Sequence, residues 1–322
     1  MDALRQEARL SVTRHCQKPA HRDAMLRALG RPGLVLHPEA PCHTGALCLH
    51  AFEAVSGPPT RQAVRGAAAV ELLMDSAYMF DHLADQDVGI ELASTDAEEL
   101  SLAVSLMVCA FAAASEAAQQ QGPRNRAFKA LNRLFRTSLQ SCAGQFMDAS
   151  LERSPLTRMD QALSMTSLKA GSLGRLAAEF GASLAGAGST TIRVLGDFGL
   201  NLFTYAQLVD DMRDVCPERG LPGDLARHKQ TVPVVFFCRS LLQSPVKSGG
   251  VRHHAELERD RASTGRQFEA SGARVFCAVV AEVFLNRAKA SLLGLGARGV
   301  EVRRLEDFLG SVVDQPAVAV AV

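Results

Sequence analysis

Three carboxylates fall within five residues at the end of an apolar run: Phe203-Thr-Tyr-Ala-Gln-Leu-Val-Asp210-Asp211-Met-Arg-Asp214-Val215. On a helix, Asp210 and Asp214 are one turn apart and share a face. In an apolar wall such carboxylates repel one another, and desolvation penalises both charges. Divalent cations relieve both problems, and magnesium commonly bridges protein carboxylates to phosphates. One such cluster is compatible with a solvated helix end; a second copy changes the weighing. It lies upstream, in Glu71-Leu-Leu-Met-Asp-Ser-Ala-Tyr-Met-Phe-Asp81-His82-Leu-Ala-Asp85-Gln-Asp87, where an apolar helical stretch again ends in aspartates spaced i and i+4. Two facing walls of this kind would hold several magnesium ions and clamp a diphosphate. With its charge neutralised, the diphosphate leaves and a carbon–oxygen bond breaks to give an allylic cation.

The elements that must position these acids read as helices. Apolar residues recur at three- and four-residue spacing, as in the stretch beginning Leu102-Ala-Val-Ser-Leu-Met-Val-Cys. The pattern predicts helices over about 41–55, 61–86, 95–120, 124–150, 157–186, 190–214, 224–243, 273–293 and 303–313, separated by Gly/Pro breakers. Strand alternation is scarce. The expectation is an all-α, single-domain helical bundle around a central cavity over 37–322, preceded by a lead-in of a short helix and loop over 1–36.

Composition narrows the function classes. The 322 residues are 47% hydrophobic with a net charge of +1, enough for a large core and without the basic excess of a nucleic-acid partner. No apolar run reaches about 18 residues, so stable membrane insertion is not expected. The eight cysteines lack a C-x-x-C pair, and Cys109, Cys142, Cys238 and Cys277 lie in apolar runs. They read as reduced, buried thiols of a cytoplasmic protein. Cys42, His43, Cys48 and His50 have the ligand types of a zinc site, but helix geometry scatters them.

With both aspartate stretches in view, the chain resembles the trans-isoprenyl diphosphate synthase (polyprenyl synthetase) family. Further pieces follow in family order: Gly144-Gln145-x-x-Asp148, Lys169-Ala-Gly-Ser-Leu with Gly181-Ala182, Gln207, and Asp224-Leu-x-x-His-Lys229-Gln-Thr231-Val-Pro233. The resemblance runs from about Pro38 to beyond Pro233. It implies the isoprenoid-synthase fold, a homodimer, and three magnesium ions held by Asp81, Asp85, Asp210, Asp211 and Asp214, with Asp81, Asp85, Asp210 and Asp214 carrying catalysis. It also implies an allylic prenyl diphosphate gripped by Lys169, Lys229, Gln207 and Thr231. Arg213, inside the second motif, is either a further phosphate contact or an outward charge. Small Ser76 and Ala77, one turn before Asp81, would leave room for a C15–C20 or longer tail. Tyr78, Phe80, Phe146, Phe203 and Tyr205 are candidate pocket aromatics able to stabilise a cation.

Two departures stand out. Chain-elongating relatives hold isopentenyl diphosphate with a glycine-lysine-arginine segment and with paired arginines after the first motif. Here the matching stretches are Pro38-Glu-Ala-Pro-Cys-His-Thr-Gly45 and Gln86-Asp87-Val-Gly-Ile-Glu91, with no lysine or arginine in either. An acidic stretch does not replace two guanidinium forks. The sequence therefore favours a terpene cyclase built on the synthase scaffold. A prenyltransferase with another acceptor, such as a metabolite or a peptide, is the alternative, and a non-catalytic subunit is third. Elongation with isopentenyl diphosphate would need Arg31, Arg61 or Arg65 to supply the phosphate contacts.

Overall fold

The computed structural model describes residues 1–85, 95–121, 123–152, 154, 157–215, 223–225, 227–243 and 261–314. The first-motif extension Gln86–Glu91, Cys216, the polar stretch 244–260 and the apolar tail 315–322 lie outside them. Among the described residues there are helices and turns and no strand. The helices are α1 (Asp2–His15), α2 (Pro19–Leu29), α3 (His43–Ser56), α4 (Arg61–Asp85), α5 (Asp96–Gln121), α6 (Arg124–Leu151), α7 (Met159–Thr166), α8 (Ser172–Leu184), α9 (Ser189–Asp214), α10 (Val232–Gln243), α11 (Arg261–Ala270), α12 (Ala273–Gly296) and α13 (Arg303–Asp314).

The expected all-α architecture holds, with three informative differences. The lead-in is two helices, α1 and α2, whose Leu4, Ala8, Val12, Met25 and Leu29 join the main core. The stretch expected as one helix over 157–186 is broken by a π-helical segment, Ser167–Gly171, between α7 and α8. The helix expected from 224 begins only at Val232, because 224–231 turns back on itself with Lys229 N–H donating to the Asp224 carbonyl at 3.0 Å. Both irregular stretches carry site residues.

One core runs from Leu4 on α1 to Val312 on α13, with Phe52, Phe180, Phe198 and Phe203 fully buried. Each such side chain contributes roughly 1.5–3 kcal/mol by removal from water. Helices α8 and α9 meet closely at Gly174 and Gly199, where any side chain on one would strike the backbone of the other. That contact fixes the height of α9, and so of the acids at its end. Phe203 packs into it beside Gly174 and is core, not pocket.

Over Asp96–Gln120, α5 is long and apolar enough to cross a membrane by length and composition, contrary to the expectation that no stretch of the chain would be. Its Leu102, Leu106, Cys109 and Ala113 face is buried in the main core, as befits a central helix of a globular bundle. Of the cysteines, Cys42, Cys48, Cys109 and Cys277 are buried, Cys16 and Cys238 are half-buried, and Cys142 is exposed, contrary to expectation. Cys142 fails because it sits on the outer side of α6, one turn before Phe146.

Candidate active site

The first wall is organised by one face of α6. Ser141, Gly144, Gln145, Asp148 and Glu152 stand at i, i+3, i+4, i+7 and i+11, so they stack along one side at and just beyond the end of the helix. Gly144 lets the π-helical segment lie against α6, since a side chain there would collide with the backbone of Leu168 and Lys169. The Ser141 hydroxyl donates to the Lys169 carbonyl at 2.9 Å. A π turn at this point, a common device at functional sites, aims Lys169 inward. Its ammonium donates to Asp81 at 2.7 Å and to Asp148 at 2.8 Å. Gln145 donates to the same Asp81 oxygen at 2.8 Å. Lys229, arriving from the turn before α10, donates to Asp148 at 3.2 Å and pairs with Glu152 at 2.9 Å. Two lysines thus converge on a single Asp148 oxygen.

Burial is severe here, yet the charges compensate. Burial pushes the Asp148 carboxyl up, but the ammoniums of Lys169 and Lys229 outweigh it and leave it below its ordinary value. Burial works equally against the charge on Lys169, and Asp81 and Asp148 more than restore it.

The second wall, at the end of α9 with the turn before α10, is not compensated. Burial raises Asp210 to about 7, opposed by Arg213 and reinforced by Asp214. Asp211 is pushed well above its ordinary range by burial and by Asp224. Burial and Asp214 raise Asp224 to about 7, although the Thr231 hydroxyl donates to it at 2.9 Å. Gln207 donates to one Asp211 oxygen at 2.9 Å. The other Asp211 oxygen and the Gln207 amide oxygen are buried without a hydrogen-bond partner. Buried orphan acceptors are rare and need an explanation. Lys169 and Lys229 also act on Asp211 and Asp224 across the gap, so both walls border one site.

Several expected residues meet here: Asp81, Lys169 and Lys229 in one network, and Gln207, Asp210, Asp211, Arg213 and Thr231 in the other. Asp85 is the last residue of α4 and Asp214 the last of α9, each one turn beyond its partner. Asp148, Glu152, Gln145 and Asp224 were given no role from sequence, although Gly144-Gln145-x-x-Asp148 and the spacing from Asp224 to Lys229 were the available signals. Among the described residues no three His, Cys, Asp or Glu side chains form a closed metal cage. The scattered zinc-like set on α3 is instead occupied with packing, His43 and His50 both resting on the Phe308 ring.

The pocket expectations divide. Phe146 is 74% exposed and points away from the site, because Gln145 next to it takes the inward face of α6. Ser76 is buried with its hydroxyl donating to the Ala103 carbonyl of α5 at 2.8 Å, so it faces a helix contact. Tyr78 stacks on His82 at 3.9 Å, and the His82 ring nitrogen meets the Tyr78 carbonyl at 3.0 Å. Ala77, Phe80 and Tyr205 are half-buried. Asp75 accepts from the Val35 N–H at 3.1 Å and Glu71 from the Gly45 N–H at 2.5 Å, so one buried acid pins the segment before α3 and the other the first turn of α3.

The residues present are of the type magnesium takes: hard carboxylate oxygens on both walls, with Asp211 carrying an unpartnered oxygen and the second wall's acids pushed up chiefly by burial. Magnesium uses one or two carboxylates and completes its shell with water and phosphate.

Residues 42–248 match the polyprenyl synthetase family model. The geranylgeranyl diphosphate synthase of Mycobacterium tuberculosis is 30% identical over 202 residues, covering 61% of this chain and 58% of that one. The geranylfarnesyl diphosphate synthase of Aeropyrum pernix is 27% identical over 216 residues, covering 64% and 65% respectively. The match thus spans less than two thirds of either relative. The geranylgeranyl pyrophosphate synthetase of Pyrococcus horikoshii has the same fold, with a TM-score of 0.78 at 18% identity over 98% of this chain and 94% of that one. So has the polyprenyl synthase of Caulobacter crescentus solved with calcium and isoprenyl diphosphate, with a TM-score of 0.78 at 20% identity over 100% and 95%. Since the family model covers more than half of the chain, this protein belongs to the polyprenyl synthetase family.

Proposed function

We propose that the protein is a magnesium-dependent prenyltransferase that moves the prenyl group of an allylic diphosphate to an acceptor other than isopentenyl diphosphate. The convergence of Lys169 and Lys229 on Asp148 beside Asp81 carries this reading. Two ammoniums sharing one carboxylate oxygen are spaced to grip the neighbouring phosphates of a diphosphate, with Asp148 and Glu152 holding them in place. Magnesium, held by Asp81 and Asp85 on one side and Asp210, Asp211 and Asp214 on the other, would supply charge neutralisation for the leaving diphosphate. The carbon–oxygen electron pair leaves with the diphosphate. The acceptor's electron pair forms the new bond to carbon, and the acceptor loses a proton. Gln207 and Thr231 orient the second wall.

The acceptor assignment rests on the missing cations. Arg31, one of the possible substitutes, is held by Glu99 through two bonds of 2.6 and 2.8 Å. Arg65 is held by Glu7 at 3.0 Å and Gln120 at 3.0 Å, and it lies sixteen residues, about 24 Å, along α4 from Asp81. Arg61 sits at the start of the same helix, farther still. The same observation supports the second reading, a cyclase in which the tail's own double bond is the acceptor. We also propose a homodimer, supported by the apolar face that α5 and α6 expose: Val104, Val108, Phe128, Phe135, Leu139 and Phe146. Edge-on contact of Phe111 with Phe135 makes the two helices' surfaces continuous. A cytoplasmic location is supported by the seven free cysteines among the described residues.

The test is incubation with magnesium and farnesyl or geranylgeranyl diphosphate, with and without isopentenyl diphosphate and with hydroxyl or amine acceptors, read by mass spectrometry. Diphosphate release with a prenylated acceptor is expected. A hydrocarbon or alcohol from the allylic diphosphate alone would select the cyclase, and longer diphosphates made only with isopentenyl diphosphate would overturn both. Light scattering on the same preparation should give twice the chain mass; a monomer would remove the dimer.

A further inference from the structure

Lys169 is bound by two buried carboxylates and is nearly enclosed. The cation of the second wall is held differently. Arg213 makes a single contact to Asp210 at 3.2 Å, from three residues along the same helix, and its side chain is 36% exposed. A single, half-exposed contact of this kind is weak and exchangeable. Asp211, next to Asp210 on α9, is buried with one carboxylate oxygen lacking a hydrogen-bond partner, so α9 brings one half-exposed cation to a wall that holds an unsatisfied acid. An arginine in the middle of an acid cluster competes with any cation for the same oxygen, while its planar fork suits phosphate better than any other side chain.

We propose that Arg213 is an exchangeable counter-ion, pairing with Asp210 while the site is empty and passing to the diphosphate when a divalent cation takes its place. This rests on the prenyltransferase reading and deepens it. The exchange makes metal and diphosphate load together. A metal ion alone must displace Arg213 into water, whereas a metal–diphosphate complex brings the oxygens that receive it. The short tether of one helical turn keeps the guanidinium within reach of both partners.

The test measures manganese binding by electron paramagnetic resonance of the free ion, with manganese alone and with manganese plus inorganic diphosphate. In the wild type, diphosphate should tighten manganese binding about tenfold or more, the ordinary scale of coupling between sites. In Arg213→Leu, manganese alone should bind more tightly than to the wild type, and the diphosphate enhancement should shrink severalfold. Arg213→Lys, which keeps the charge and loses the fork, should retain weak binding of manganese alone. Manganese affinity unchanged in Arg213→Leu, with the enhancement intact, would overturn the exchange and leave the prenyltransferase reading standing. Wild-type protein that binds no manganese even with diphosphate would overturn both.

Discussion

The two walls of the site solve the same problem in opposite ways. The first brings Asp81, Asp148 and Glu152 together and supplies Lys169 and Lys229 to match them, with Gln145 as an added donor. The second brings Asp210, Asp211 and Asp224 together with a partly exposed Arg213, and leaves acceptors without donors. A compensated cluster holds its shape without ligand and is pre-organised. An uncompensated one is a standing cost, which protonation or bound positive charge removes. The first wall is therefore a cradle built in advance, and the second is the wall that the proposed metal would stabilise most.

The largest expected effect comes from breaking the cradle at its centre. Asp148→Ala leaves two buried ammoniums close together with Asp81 and Glu152 as remaining partners. Removing one member of a buried ion network costs about 3–5 kcal/mol, and urea denaturation without divalent cations should read it. Asp148→Asn keeps the volume and should fold better than alanine while still raising the KM for the allylic diphosphate. An Asp148→Ala protein within 1 kcal/mol of wild type would mean that the cradle is not pre-organised by charge.

The comparison is sharpened by the same substitution made on each wall. Asp81→Asn removes a charged acceptor from Lys169 and Gln145 and should destabilise the metal-free protein by about 1.5–3 kcal/mol. Asp211→Asn removes a buried acid with an orphan oxygen and should stabilise it by on the order of 1–2 kcal/mol at pH 8. The sign with pH follows from the raised acids of the second wall. Asp210 and Asp224 rise from 3.8 to about 7 on folding. Between those values the folded state binds more protons, so metal-free stability is greatest below the unfolded value and falls as pH climbs to about 7. Asp211→Asn should flatten that fall, and magnesium with diphosphate should reverse it. Equal signs for the two substitutions would erase the distinction between the walls.

Both aspartate stretches were legible in the sequence because helical periodicity and acid spacing are local properties. So was the all-α bundle, since each long helix carries its own apolar stripe. The network around Asp148 was not, because nothing local says that a lysine from a π turn and another from a loop 60 residues later will share one oxygen. The Phe146 expectation failed for a related reason. An aromatic beside a motif residue was assigned to the pocket, but adjacent residues on a helix point about 100° apart, and Gln145 had already taken the inward direction. Ser76 was misplaced similarly, its hydroxyl being spent on the α5 backbone.

The smallest expected effect concerns the turn that belongs to both walls, since it carries Asp224 for one and Lys229 for the other. His228, immediately before Lys229, has a left-handed backbone with φ of 59°. For an L residue this conformation costs about 1–2 kcal/mol. His228→Gly removes that strain but returns about 0.5–1 kcal/mol through the greater freedom of the unfolded chain. The net change should lie within about 1 kcal/mol, in the direction of greater stability. His228→Val is the informative contrast, because a β-branched residue resists positive φ more strongly than histidine. Forcing φ negative would rotate Lys229 away from Asp148 and Asp224 away from Asp211 together. A stability loss in His228→Val with a raised KM for the diphosphate would mean that this turn couples the walls. A loss of stability with an unchanged KM would mean that Lys229 finds its place independently of the backbone that presents it.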